Sequence, residues 1–415
     1  MKNPTKYLTS DDVPKFYEVI NKLYAQDRSS GTLFDFADAD IPVDRLAPAL
    51  RTWNALNHHR WASNNSVFAR VGMDYRDVAE QISVNGEPGL MWLDNMRDYG
   101  RMIDGRQPGI DGRVMGANPC LEQSLESYEL CCLVETFPSN HDTADEYMRT
   151  LKFAYLYAKT VTLLPTHHAR TNAVMLRNRR IGLSQSGIVQ AFSKFGRRTV
   201  LQDFCDAGYN EIRRWDNIYA EWLCIQPSIK VTSVKPSGTV SLVAGVTPGI
   251  HYPEAGSYWR RVRIAKDSVL ARILREAGYH IEPMIGDEER TVVVKFAVSD
   301  ERVKPVGDIS IWEQVQNVVD YQRYWADNQV SCTIKFKNGE GNQIHRVLEC
   351  YEGQLKGVSF LPLSEHGYAQ APYEACTAEE VAAYNASVGI TDYSSYIDDA
   401  VGSKYCDGDK CEISK

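Results

Sequence analysis

IWEQVQNVVDYQRYWADNQVSCTIKF, residues 311–336, sets a helical pattern from Ile311 to Trp325 ahead of a β-branched run from Val330 to Phe336. The same juxtaposition recurs outward from it. Further strand candidates lie at Ile229–Val234, Arg260–Ile264, Thr291–Val298 and Gly357–Phe360, with helical patterns at Lys266–Ala277 and Ala378–Ala386 between or after several of them. Upstream, Leu201, Phe204, Cys205, Ile212, Trp215, Tyr219 and Trp222 advance by threes and fours, apart from a gap at Gly208, which predicts one core-facing helical stripe. A helix is also predicted over Ser10–Gln26, with acidic residues and a proline in its first turn. This alternation favours an α/β architecture with a largely buried sheet. There is no internal repeat and no low-complexity segment.

The chain has 415 residues, enough for two or three domains or one large one and for a core that needs no disulfides or metal. Lysine and arginine number 46 against 54 aspartates and glutamates, a net charge of −8. That balance argues against a basic nucleic-acid module, whose affinity comes from clustered positive charge. No apolar stretch approaches the ~20 residues of a spanning helix. The start, MKNPTKYLTSDD, lacks the apolar run of a secretory signal, so a cytoplasmic protein is expected.

The 10 cysteines are unevenly placed: none precedes Cys120, three fall at Cys120, Cys131 and Cys132, and Cys406 and Cys411 sit at the end. In a reducing compartment this points to redox chemistry or metal binding rather than structural cross-links. The densest constellation is MGANPCLEQSLESYELCCLVE, residues 115–135. Asn118 and Pro119 favour a turn that puts Cys120 at a loop tip with Glu122 two residues on, a sulfur centre beside a proton acceptor. Pattern alone leaves a buried cysteine on a turn as the commoner explanation.

KPSGTVSLVAGVTPG, residues 235–249, follows a strand and sets small residues and hydroxyls where backbone N–H groups can approach an anion. It is not a P-loop, and a lone PSGT is usually just a turn. The tail from Thr391 is polar, with weak periodicity, and is expected to be mobile. On it, Cys406 and Cys411 offer half of a zinc site, with no histidine after His366 to complete it, or a tethered pair for disulfide exchange. The pairs His58-His59 and His167-His168 lack metal-ligand spacing, and no metal is expected there.

The segment from Asn118 to Cys131 resembles the active-site finger loop of the ribonucleotide reductases: asparagine, one residue, cysteine, one residue, glutamate, then a second cysteine. The proline before Cys120 is similar to the adenosylcobalamin-dependent class II enzymes. HRWASNNSVFARVG (59–72), NGEPGLMWLDN (85–95), RNRRIGLSQSGIVQAF (177–192) and YWADNQVSCTIKF (324–336) extend the resemblance over nearly the whole chain. It implies an α/β fold that is the second half of a ten-stranded α/β barrel, with a finger loop at 115–135, a phosphate loop at 235–249 and a mobile C-terminal tail. Barrel and tail would divide at 1–390 and 391–415.

The resemblance also implies a mechanism. Adenosylcobalamin generates a thiyl radical at Cys120, which takes the 3′ hydrogen of a ribonucleotide; Glu122 takes the 3′ hydroxyl proton, and Asn118 orients the sugar. Ser237, Gly238, Thr239, Val240 and Ser241 inherit the substrate's phosphates. Electrons come from a cysteine pair that includes Cys131, or its neighbour Cys132, and Cys406 and Cys411 return them from thioredoxin in deoxynucleotide supply for DNA synthesis. Similarity to the single-chain type makes triphosphates the expected substrates. Because the partner of Cys131 should lie on an earlier strand, the resemblance implies a separate polypeptide carrying the N-terminal half of the barrel. Two other readings stand beside it: a non-catalytic remnant that binds nucleotide, and a small zinc-binding interaction protein. No direct nucleic-acid binding and no membrane association are expected.

Overall fold

The computed structural model describes residues 15, 66–300, 302–363 and 370–393. The predicted helix Ser10–Gln26, the pair His58-His59 and the tail cysteines Cys406 and Cys411 lie outside the described residues. The strands in chain order are β1 (Ser66–Phe68), β2 (Gly89–Met91), β3 (Gly116–Ala117), β4 (Ser124–Leu125), β5 (Leu133–Thr136), β6 (Gly182–Gln185), β7 (Ser257–Ala265), β8 (Ile281–Pro283), β9 (Thr291–Ser299), β10 (Thr333–Phe336), β11 (Gly357–Pro362) and β12 (Tyr373–Ala375). They fall into two compact units, Met1–Pro253 with Val306–Ser364, and Glu254–Pro305 with Glu365–Lys415.

The first unit is built on an arc of strands. β5 and β6 are parallel, β6 bridges in parallel to Thr232, Val234 bridges in parallel to Val330, and β10 runs parallel to β11. The direction then reverses: β11 is antiparallel to β2, which is parallel to β1. Among the described residues the arc stays open, with β1 and β5 as its edges. The helices and sheets are those of an α/β protein, and no closed barrel is formed by these residues.

Residues paired in register share a face. Val134, Leu183, Val234, Val330, Ile334, Val358, Phe360 and Leu90 therefore lie on one side, where they pack into or against the main apolar core. Helices Ala144–Val161 and Ile311–Tyr324 cover that side with Tyr147, Leu151, Tyr155, Val315 and Val318. Each helix starts at a hydroxyl that accepts from a backbone N–H, Thr143 from Glu146 and Ser310 from Glu313, both at 3.2 Å. Of the alternate positions, Glu135, Ser184, Ser233, Gln329, Ser331, Thr333 and Ser359 are polar, and Leu133, Met91 and Leu361 are apolar. A parallel sheet covered on both faces by helices reads as a continuous apolar run. Here the second face is largely polar, and it carries Glu135, Ser184 and Gln329.

The predicted stripe from Leu201 to Trp222 needs one correction. A wide π-type turn over Val200–Asp206 precedes the α-helix Ala207–Trp222 and shifts the phase of the pattern. Leu201, Phe204, Cys205, Ile212 and Tyr219 are buried, whereas Trp222 is 66% exposed.

The second unit holds an antiparallel sheet in the order β12-β7-β9-β8, with β7 and β9 paired along their whole length. Helices Val269–Glu276, capped by Ser268, and Ala378–Ser387, with a capping box from Thr377 and Glu380, belong to it. The sequence expectation of one body over 1–390 draws no boundary here, and the strands at 257–265 and 291–299 stand in this sheet instead of the arc.

Candidate active site

The finger loop is a hairpin of β3 and β4. At its end the Asn118 side-chain oxygen accepts from the N–H groups of Glu122 (3.1 Å) and Gln123 (2.9 Å), and its carbonyl accepts from Leu121 (2.9 Å). Asn118 thus shapes the turn, an Asx-type use of its side chain. Leu121, at φ 60°, turns into a small apolar cluster with Met91, Met96 and Val114. That anchor leaves Cys120 exposed at the tip, where the sequence puts it.

Glu122 is buried. Its carbonyl accepts from the Gln329 N–H at 3.2 Å, while its carboxylate oxygen Oε2 has no partner among the described residues. Lost hydration and the Glu122 charge push the Cys120 thiol up, and Lys235 opposes them. Cys120 is therefore kept as a thiol at neutral pH.

The adjacent cysteines part company. Cys131 has exposed surface, yet lost hydration, then Glu122 and the Cys120 sulfur, push its thiol up to about 12. Cys132 is buried in the main core, its thiol donating to the Ala158 carbonyl at 3.4 Å, and burial alone pushes it up to about 11. Cys131 is the member of the pair within electrostatic reach of Cys120 and Glu122.

Two devices fasten the loop to the arc. At Gly182 a Cβ would lie 2.5 Å from the Gln123 amide nitrogen and 2.6 Å from both Leu133 and Ser233, so the glycine lets these three side chains close over it where any other residue would displace them. Below it, fully buried Arg180 grips Asp111 with two hydrogen bonds of 2.7 and 2.8 Å, Glu129 at 3.0 Å and Asn328 at 3.1 Å. Lys230 reaches Asp111 at 2.9 Å. Burial would raise the Asp111 carboxyl, but Lys230 and Arg180 more than reverse this and hold it well below the usual range.

The loop 235–249 is closed at its neck. The Lys235 N–H donates to Ser184 Oγ at 2.8 Å, and the Gly249 N–H to Ser186 Oγ at 2.9 Å. Gly249, at φ 52°, faces the Lys235 carbonyl so closely that a Cβ would sit 2.3 Å from the oxygen. Ser237 lies in the left-handed region at φ 47°, and its hydroxyl accepts from the Ser241 N–H at 3.3 Å. Ser241 is fully buried and donates to the Gly238 carbonyl at 3.0 Å, while Val240 is exposed. Gly238 has open space around its α-carbon and leads into the short helix Thr239–Val243.

No protein-family model matches the chain. It is 49% identical over 368 residues to the adenosylcobalamin-dependent ribonucleoside-triphosphate reductase of Euglena gracilis, covering 86% of this chain and 50% of that protein. A probable enzyme of the same name from Dictyostelium discoideum is 49% identical over 360 residues, covering 85% and 47%. The crystal structure of a B-12 dependent (class II) ribonucleotide reductase matches with a TM-score of 0.75 at 33% identity, over 81% of this chain and 51% of that one. This chain is related to the class II ribonucleotide reductases. It spans about half the length of the curated relatives it matches.

Within this reductase-related chain, Asn118, Cys120, Glu122 and Cys131 gather at the finger loop, and Lys235 connects that group electrostatically to the loop 237–241. Sequence reasoning missed Lys235, Glu135, Ser186 and Gln329. Only Lys235 carries a local signal, a cation directly ahead of Pro236-Ser237-Gly238; the others join the site through pairings more than fifty positions distant.

Proposed function

We propose that the chain is the C-terminal part of an adenosylcobalamin-dependent ribonucleoside-triphosphate reductase, the second half of a ten-stranded barrel. The observation that carries this reading is an exposed Cys120 two residues from a buried carboxylate oxygen of Glu122 that has no partner among the described residues. A buried acceptor without a donor is costly unless a ligand supplies one. A sugar hydroxyl does so.

Cys120, a thiol at an accessible tip, suits the hydrogen-atom exchange that adenosylcobalamin initiates. When bound, the cofactor supplies the radical chemistry; the protein supplies orientation and exclusion of water. Once its own hydrogen atom has been removed, the Cys120 sulfur, as a thiyl radical, takes the 3′ hydrogen of the ribose and later returns it, Glu122 accepts the 3′ hydroxyl proton, and the Asn118 amide steadies the sugar. The 2′ hydroxyl leaves as water. Two thiols, Cys131 and a cysteine from the complementary half, become a disulfide and give the two electrons. Cys406 and Cys411 then reduce that disulfide by thiol exchange and are recharged by thioredoxin. The phosphates rest on Ser237–Ser241, met by backbone N–H groups and by the hydrogen of the Ser237 hydroxyl, which within the loop acts as acceptor, while the Ser241 hydroxyl donates to the Gly238 carbonyl. The edges at β1 and β5, open among the described residues, suit a complementary half on a separate polypeptide in the cytoplasm.

The test is reconstitution with that half, adenosylcobalamin and a dithiol, following deoxyribonucleotide formation. Wild type should turn over and Cys120→Ser should not; more than trace turnover by the variant would sink the assignment. Serine at both 406 and 411 should nearly stop turnover with thioredoxin yet spare much of it with a small dithiol. Equal loss with both reductants would make the tail pair structural.

A further inference from the structure

The neutral loop 237–241 has little with which to hold a multiply charged phosphate chain. The Ser237 hydroxyl accepts from the Ser241 N–H and the Ser241 hydroxyl donates to the Gly238 carbonyl, so the loop offers an anion neutral N–H and O–H donors and no formal charge. The charge stands at the neck. The Lys235 ammonium donates to Glu135 Oε2 at 3.1 Å, and the other Glu135 oxygen accepts from the Ser186 hydroxyl. Ser186 Oγ in turn accepts the Gly249 N–H, so one buried chain of contacts, Gly249, Ser186, Glu135, Lys235, ties both ends of the loop to the cation.

The pair is asymmetric. The Glu135 side chain is 3% exposed and that of Lys235 is 24% exposed. An ammonium has three donors, and here one is committed to Glu135. The carboxylate is the fixed, buried partner, and the ammonium is the one that keeps contact with its surroundings. An ammonium oriented by a buried carboxylate, with donors beyond the one given to Glu135, is ready for a second anion.

We infer that Lys235, oriented by Glu135 and Ser186, is an anion-binding residue that supplies the positive charge for the phosphate chain of a nucleotide at the loop 235–249. This inference deepens the reductase reading and rests on it for the identity of the ligand. Lys235 touches the phosphate chain; Glu135 acts through Lys235 and is a positioning residue. The ammonium also faces Cys120 electrostatically, so an anion bound there would be felt at the sulfur.

The test is calorimetric titration of the full chain with a ribonucleoside triphosphate, the uncharged ribonucleoside and inorganic tripolyphosphate. Lys235→Met should weaken triphosphate binding about tenfold to a hundredfold, the scale of losing a charge-assisted hydrogen bond, while Lys235→Arg retains most of it. Because Lys235→Met strands a buried carboxylate, the double variant K235M/E135Q, which removes both charges, is measured alongside and should show the same loss with a native circular dichroism spectrum. The salt dependence of binding should flatten in both. Triphosphate binding by K235M/E135Q equal to wild type would overturn the inference, as would failure of wild type to bind either polyanion. Lys235-dependent binding of tripolyphosphate without binding of the nucleotide would uphold the anion site and count against the reductase reading.

Discussion

Cys131 and Cys132 are chemically identical neighbours with opposite fates, and they divide the molecule as its strands do. Cys132 turns to the face that holds the apolar core, and Cys131 turns toward the finger loop, Glu122 and Cys120. The alternation of a strand is enough to separate them. One side of the arc carries the stability of the unit through Val234, Val330, Ile334 and the helices over them. The other carries serines, glutamines, Glu135 and Lys235, which add little to the core and line the site. Stability and chemistry are thus assigned to alternate residues of the same segments.

That division can be attacked first where it is crossed. Arg180 is the buried cation that joins the finger loop to the arc, so Arg180→Met, which leaves Asp111 and Glu129 without it, should cost about 3–5 kcal/mol of stability by urea unfolding. A loss below 1 kcal/mol would mean that the loop is fastened elsewhere. Gly182→Ala forces a methyl into the Gln123 and Ser233 contacts and should cost about 1–3 kcal/mol. Recovery of part of that loss by a simultaneous Gln123→Ala, which removes one of the three close contacts, would confirm the steric origin.

The cysteine pair gives a finer cut. Cys132→Ser buries a hydroxyl beside a single carbonyl and should destabilise by about 1–2 kcal/mol, whereas Cys131→Ser should stay within about 0.5 kcal/mol. Equal effects would erase the distinction between the faces. A smaller effect is expected with pH. His251 donates through Nδ1 to the Pro248 carbonyl (3.1 Å) and accepts through Nε2 from the Thr333 N–H (3.0 Å), and burial holds its pKa below the usual value. A base depressed in the folded state leaves the unfolded chain binding more protons. Its contribution is therefore complete above the ordinary histidine pKa of about 6.5 and falls away as the pH drops below it. His251→Gln should flatten the stability profile between about pH 6.5 and 5.

Much of this was legible in the sequence where the signal is local. The helix Ile311–Tyr324 announces itself by its spacing, and Asn118, Cys120 and Glu122 lie within one turn that their own side chains shape. Non-local features were not. Trp222 was expected inside because nothing in the residues from Val200 to Asp206 marks the wide turn that displaces it. Choosing between Cys131 and Cys132 requires knowing which side of β5 faces the helices, and that is fixed by the pairing with β6, some fifty residues on. The Lys235–Glu135 contact joins positions one hundred apart, and the antiparallel sheet of the second unit depends on β12 reaching β7 across more than one hundred residues.

Mapping the thiols by mass spectrometry, after exhaustive modification of the folded chain with a small methanethiosulfonate at mildly alkaline pH, tests the division of faces most directly. Cys120 and Cys131 should be modified in the native protein while Cys132 stays protected until denaturant is added. Native-state modification of Cys132 with Cys131 untouched would contradict the account and move the reactive thiol to the other residue.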